Sequence, residues 1–285
     1  MTKLFEIIGL HAPIEGDFGI EIEGEGRRLP DHDTDFWKTV EDGSLRNGLE
    51  YVVRGAISHK DVVPALSELQ SAFIDNETRL SFSFRTSVHV HMNMQQLTMN
   101  EIFNCIYTYL LLEDAFMNYC GEQRKGNRFC LRAADAEFSY DVIEKLFREE
   151  AAGLVRIPHN QVRYAAINIE ALSKYGSLEF RGMEGNMDIP RISNWCSSLL
   201  ALRNFAQKHK TPLDIYNAFD NQTSEEFLVS VLGNLSKLFT FPGMDRAFKR
   251  SFSLAISLPF AFKEGEAARN RQYKKDNGLI LKGEL

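Results

Sequence analysis

The sequence predicts an α+β fold built on an antiparallel sheet, and three observations carry that prediction. Several short runs in the first part of the chain alternate apolar and polar side chains with period two, as half-buried strands do. Thr98-x-x-Glu101 and Thr223-x-x-Glu226 are capping boxes that open helices. Strands come first, helices are mixed in, and the last part is mostly helical, which is not the order of a βαβ array.

The composition is that of an ordinary globular chain. Of 285 residues, 44% are hydrophobic and 25% charged, with 21 Phe and 9 Tyr to fill a core. Mean hydropathy is −0.26. A net charge of −6 gives no electrostatic footprint for nucleic acid, although a local basic groove is compatible with it. Cys105, Cys120, Cys130 and Cys196 form no C-x-x-C pair or zinc-type spacing, so buried free thiols in a reducing compartment are expected. The N-terminal stretch lacks a signal-peptide core, and the apolar run around Leu110–Leu112 is too short to span a membrane. The expectation is a cytoplasmic protein with no membrane partner.

Along the chain, residues 1–17 read as a lead-in and residues 18–25 as an acidic strand. A polar loop with Pro30 leads to a short strand at 36–40. Asp42-Gly43-Ser44 is a turn signal, and 49–53 is the returning strand. Asp61 opens a helix that tolerates Pro64 in its first turn and carries the stripe Val62, Leu66, Leu69 and Phe73. Residues 80–93 read as one strand alternating at Leu80, Phe82 and Phe84. The helix opened by Thr98 passes Ile102, Ile106, Leu110 and Phe116 towards Gly121. Residues 139–150 are helical, 156–168 and 175–183 contain strands, and Asp188 with Pro190 starts a helix to about Lys208. Residues 214–219 and 223–239 are further helices, followed by a charged helix and tail.

Four groups of residues carry candidate chemistry. In Gly19–Gly26, Glu21, Glu23 and Glu25 share a strand face, roughly 7 Å apart. Such a row repels itself unless a cation lies across it; a solvated acidic face is the plain alternative. His89 and His91 flank Val90 and point to one face, as metal or phosphate partners or as satisfied imidazoles. Glu179 and Arg181 share a face of the strand whose Leu178 and Phe180 go to the core. They read as a metal ligand beside a phosphate-gripping guanidinium, or as a surface ion pair. Asn168 and Glu170 alternate with Ile167 and Ile169 in the same way. Arg128, Arg132 and Arg163 are further cationic candidates, and His159 reads as structural. There is no P-loop, Rossmann fingerprint or G-x-S-x-G elbow.

Each signal is weak alone, but their order is informative. An E-x-E strand, D-G-S-L followed by Glu50, H-V-H, Asn168 and then E-F-R resembles the amidoligase family over about residues 17–205. That family groups phage and bacterial carboxylate–amine ligases related to glutamine synthetase and glutamate–cysteine ligase. The resemblance implies a curved antiparallel sheet with helices on its outer face, a glutamine synthetase-like catalytic fold. On its concave side, a funnel would bind ATP and Mg²⁺ or Mn²⁺. By that resemblance Glu21, Glu23, Glu50, His89 and Glu179 hold metal. His89, His91, Arg128, Asn168 and Arg181 contact the nucleotide, and Arg181 and Glu50 act in catalysis. Residues 1–210 would form the catalytic core and 211–285 a mostly helical extension packed on it.

Joining a carboxylate to an amine near neutral pH requires a leaving group better than oxide, and phosphorylation by ATP supplies one as an acyl phosphate. Clustered carboxylates, magnesium and an arginine suit that chemistry. The expected substrates are an amino acid, peptide or peptide-like acid and an amine; a homo-oligomer is left open. A guanidino-kinase-like phosphotransferase and a non-catalytic binding module are the competing readings.

Overall fold

The acidic strand forms the middle of a sheet. In the computed structural model, residues 2–155, 157 and 164–276 are described. The strands are β1 (Phe18–Arg27), β2 (Trp37–Val40), β3 (Gly48–Val53), β4 (Arg79–Ser81), β5 (Ser87–Asn93), β6 (Ile167–Asn168) and β7 (Ser177–Glu184). They build one seven-stranded sheet in the order β2-β3-β1-β5-β7-β6, with β4 paired to the end of β1. Every pairing is antiparallel. The fold is therefore α+β, as the sequence predicts.

Strand alternation decides what each face carries. Phe18, Ile20 and Ile22 of β1, Tyr51 and Val53 of β3, Val88, Val90 and Met92 of β5, and Leu178 and Phe180 of β7 are buried in one hydrophobic core. The intervening polar residues lie on the opposite face. A bulge breaks the rhythm in β7, where Val90 pairs with Phe180 but Val88 pairs with Met183. The extra residue keeps Met183 in the core, where unbroken alternation would have turned it outward.

The helices are α1 (Leu4–Ile7), α2 (Val62–Asp75), α3 (Met99–Cys120), α4 (Glu137–Glu149), α5 (Ala151–Val155), α6 (Glu170–Tyr175), α7 (Ile189–Ala206), α8 (Pro212–Asp220), α9 (Ser224–Leu232), α10 (Met244–Ala255) and α11 (Leu258–Asp276). Both predicted capping boxes form: Thr98 accepts from Glu101 N while its own N–H donates to Glu101, and Thr223 and Glu226 do the same. Asp188 caps α7 by accepting from Arg191 N at 3.0 Å. The predicted stripe of α2 is buried. Helix α3 is apolar nearly all round because it packs against β7 and against α7, α8 and α10. That burial explains the Leu110–Leu112 run, and no helix among the described residues is long and apolar enough to cross a membrane. All four cysteines are free and buried.

Several expectations need correction. Residues 80–93 are two strands, because Ser83 N donates to Thr86 Oγ1 at 2.9 Å and Thr86 N to Ser83 O at 3.1 Å, closing a turn between them. Phe84 is consequently 49% exposed. Glu170 does not continue a strand. Asn168 Oδ1 accepts from Glu170 N at 3.0 Å and α6 begins there. The expected helix over 223–239 ends at Leu232; Gly233, at φ 56°, starts a 3₁₀ segment to Phe239. His159, Arg163, most of the strand expected over 156–168 and the last part of the charged tail lie outside the described residues.

Candidate active site

The ladder registers bring the distant motifs side by side. Glu23 pairs directly with Glu50 across β1 and β3. On the other side of β1, Glu21 pairs with His89 of β5. His91 pairs with Glu179 of β7, and Glu179 pairs with Asn168 of β6. Five strands thus lay Glu50, Glu23, Glu21, His89, His91, Glu179 and Asn168 across the polar face in one band. Five separated stretches of sequence reach one place because the side-chain period is two on every strand.

Within the band the contacts are close. Glu21 Oε2 lies 3.0 Å from His89 Nδ1, and Glu21 Oε1 lies 3.3 Å from His91 Nε2. Asn168 Nδ2 donates to Glu179 Oε2 at 2.6 Å, and the Arg181 guanidinium grips Glu179 Oε1. Ser87 Oγ donates to Glu23 Oε2 at 2.6 Å and lies 2.6 Å from His89 Nε2. Having spent its proton on Glu23, the Ser87 oxygen accepts from His89 Nε2–H. The other ring nitrogen, Nδ1, faces Glu21 at 3.0 Å and Glu179 at 3.7 Å, so a cation between these groups would meet Nδ1 in place of the proton that it shares with Glu21.

The electrostatics divide the carboxylates. Burial alone would raise Glu21, but hydrogen bonds from His89 and His91 outweigh it and hold the acid well below the usual range. Glu179 is raised by burial and lowered more by Arg181 and the two histidines. His91 is lowered by burial and raised more by Glu21 and Glu179. Glu50 moves the other way, to about 9, through burial and then the charges of Glu21, Glu23 and Asp42. Negative charge on this side of the band therefore exceeds the positive charge that the chain supplies.

A divalent cation fits that deficit. Glu21, His89 and Glu179 each offer a donor atom within 4.8 Å of the others, and so do Glu23, Glu50 and His89. The two sets share His89. Its Nδ1 faces the first set, so the second would be served mainly by carboxylate oxygen, the ligand type of Mg²⁺ and Mn²⁺.

Arg181 stands beside the first set. It lies where the bulge interrupts the β5–β7 ladder, and its N–H continues the β6–β7 register by donating to Ala166 O at 2.9 Å. The buried Arg124 donates to its carbonyl at 2.8 Å. Glu21, His91, Asn168, Glu179 and Arg181 line an open pocket of about 250 Å³ with Glu170, Lys174 and Tyr175 of α6. Glu25 serves the scaffold, since its Oε1 accepts from Arg46 N at 2.7 Å and fixes the β2–β3 turn. Arg132 binds Asp114 and Asp135 away from the band. Arg128 also stands apart, exposed, with its guanidinium 4.9 Å from the centre of the Phe129 ring. Ser87, Lys174 and Tyr175 were not among the sequence candidates. Ser87 alone left a readable signal, since it lies two residues before His89 and shares its face.

The model of a family described as "putative amidoligase enzyme" matches residues 58–203, half of the chain. The chain belongs to this family of ligase-type enzymes. The matched region includes His89, His91, Arg128, Asn168, Glu179 and Arg181. Glu21, Glu23 and Glu50 precede it and join the same band through the β1 and β3 registers. Among curated proteins, none matches the chain.

Proposed function

We propose that this protein is an ATP-dependent carboxylate–amine ligase with a glutamine synthetase-like catalytic fold, forming an amide through an acyl phosphate. The observation that carries the reading is the pair of three-donor sets sharing His89, with Arg181 directly beside one of them. A bound divalent cation would supply charge neutralisation for phosphate oxygens in such a place.

In this reading Glu21, Glu179 and His89 hold one Mg²⁺ or Mn²⁺, and Glu23 and Glu50 hold another. Arg181 presents a planar fork to the nonbridging oxygens of the phosphoryl group in transfer, where negative charge grows. Glu179 and the two main-chain hydrogen bonds hold that fork in place before substrate arrives. His91 and Asn168 line the pocket where the activated acid meets the amine. The amine loses a proton as it attacks, and the pocket carboxylates are the nearest acceptors. The donor groups favour an acid and an amine of small polar type, such as an amino acid or a peptide end.

The test is nucleotide turnover by the purified chain with Mg²⁺ across pairs of acids and amines, with mass detection of the conjugate. ADP release that requires both partners, together with an amide product, is the expected result. Phosphate left stably on one acceptor with no amide formed would contradict a ligase.

A further inference from the structure

Three loops meet at the end of the sheet where β1 finishes and β5 begins. They are the turn at 82–86, the β2–β3 turn at 42–47 and the segment 121–130 after α3. Asn127 Nδ2 donates to Phe84 O at 2.8 Å, and Arg85 Nη1 donates to Ser44 O at 3.0 Å, so polar bridges tie the loops together. Arg85 lies 5.5 Å from the centre of the Phe84 ring and 5.9 Å from that of Phe129, and Arg128 covers Phe129 as well. Tyr164 stands edge-on to Phe129 at 5.9 Å. The result is a rim of π faces and guanidinium planes, with Phe84 49% and Tyr164 38% exposed.

This rim has properties the catalytic band does not use. Its exposed rings leave apolar area facing water at the edge of a strongly charged face. Arg85 Nε is buried and has no acceptor among the described residues, a donor held without a partner. Two residues further along the chain, Ser87 holds Glu23 and His89. Planar rings flanked by arginine, leading directly to a cation-binding set, match a molecule with a flat heterocycle at one end and phosphates at the other. The pocket at the other side of the band is unlike this. Apart from Ala171 and Tyr175, only charged or hydrogen-bonding side chains line it.

Resting on the ligase reading, we infer that the nucleotide base stacks on the Phe84–Phe129–Tyr164 rim. Its phosphates run past Arg85 to Glu23, Glu50 and His89, and the acid and amine enter from the opposite pocket at Glu170 and Lys174. This fixes the direction of the reaction across the sheet, from β4–β5 towards β6. The competing place for a base is Tyr175, whose ring already faces Lys174 at 4.8 Å.

Calorimetric titration of the full chain with MgATP and with magnesium tripolyphosphate separates the two ends of the nucleotide. Phe129→Ala, and the more exposed Phe84→Ala, are expected to weaken MgATP binding by about tenfold while tripolyphosphate binding and the unfolding temperature stay unchanged. Unchanged MgATP binding in both variants overturns the inference and leaves the ligase reading standing. Equal loss of both ligands overturns it as well, since a stacking role touches only the base. A tenfold loss in Tyr175→Ala with no loss in the rim variants moves the base to the opposite pocket and overturns it. A wild-type chain that binds neither ligand sinks the ligase reading itself.

Discussion

Glu50 stands directly opposite Glu23 across the β1–β3 ladder. Like charges in that relation destabilise a sheet, and burial with the charges of Glu21, Glu23 and Asp42 pushes Glu50 up to about 9. Two valines would pack better at those positions if folding were the only demand. The pair makes sense as half of a cation site. Mg²⁺ or Mn²⁺ at saturation should raise the unfolding temperature by about 5 °C or more. Glu50→Gln should lose most of that response in a thermal scan with and without metal. No shift for the wild type would sink the metal assignment.

Arg181→Lys keeps the charge beside Glu179 but loses the planar fork. Turnover should fall by about a thousandfold, while the urea midpoint changes little. Normal turnover in this variant would remove Arg181 from the chemistry.

Ser87 would touch no cation, yet it holds Nε2 of His89 and so turns Nδ1 towards Glu21 and Glu179. Ser87→Ala should weaken divalent-cation affinity by about tenfold or more, in the manner of other partners of metal-bound histidines. Isothermal titration with Mn²⁺ reads this directly. An unchanged affinity would show that the ring is held elsewhere.

Glu113, buried in the second half of α3, gives a pH signature unconnected with the site. Ala133 N donates to both its oxygens, at 2.9 and 3.2 Å. Burial nevertheless raises its pKa from 4.5 to about 8, helped by Asp114. Between those values the folded chain keeps a proton that the unfolded chain has lost. Stability from this group is therefore full below about 4.5, falls as pH rises to about 8, and is flat above. The slope is at most about 1.4 kcal/mol per pH unit. Glu113→Gln keeps an acceptor for Ala133 N and should flatten that slope in urea titrations. An identical slope in the variant would place the dependence on another group.

Much of the site was legible because strand faces follow from period two alone. Gly19–Gly26, the strand carrying Glu50, H-V-H and E-F-R each present in the structure the face that their sequence implies. Pairing was less legible. Nothing local states that Glu23 meets Glu50 or that His91 meets Glu179, and only their order along the chain suggested a common place. The turn at Ser83–Thr86 escaped because alternating Phe82 and Phe84 imitate a strand, although the Ser and Thr around them are turn formers. Glu170 escaped because Ile167 and Ile169 imitate one too, while Asn168 turns the chain by accepting from Glu170 N. The bulge in β7 escaped altogether, since an extra residue leaves no mark in a pattern read one strand at a time.

That bulge separates two duties that a regular strand would bind together. Arg181 and Gly182 together stand opposite the single residue His89. A chain lacking Gly182 could pair β7 evenly with β5, still sending Leu178, Phe180 and the methionine inward. The helices would see the same surface, and Glu179 and Arg181 would still be present. What such a chain would lose is the extra local twist beside Arg181 on the β5 side. The single-residue deletion is thus a way to keep every functional group and discard only its aim.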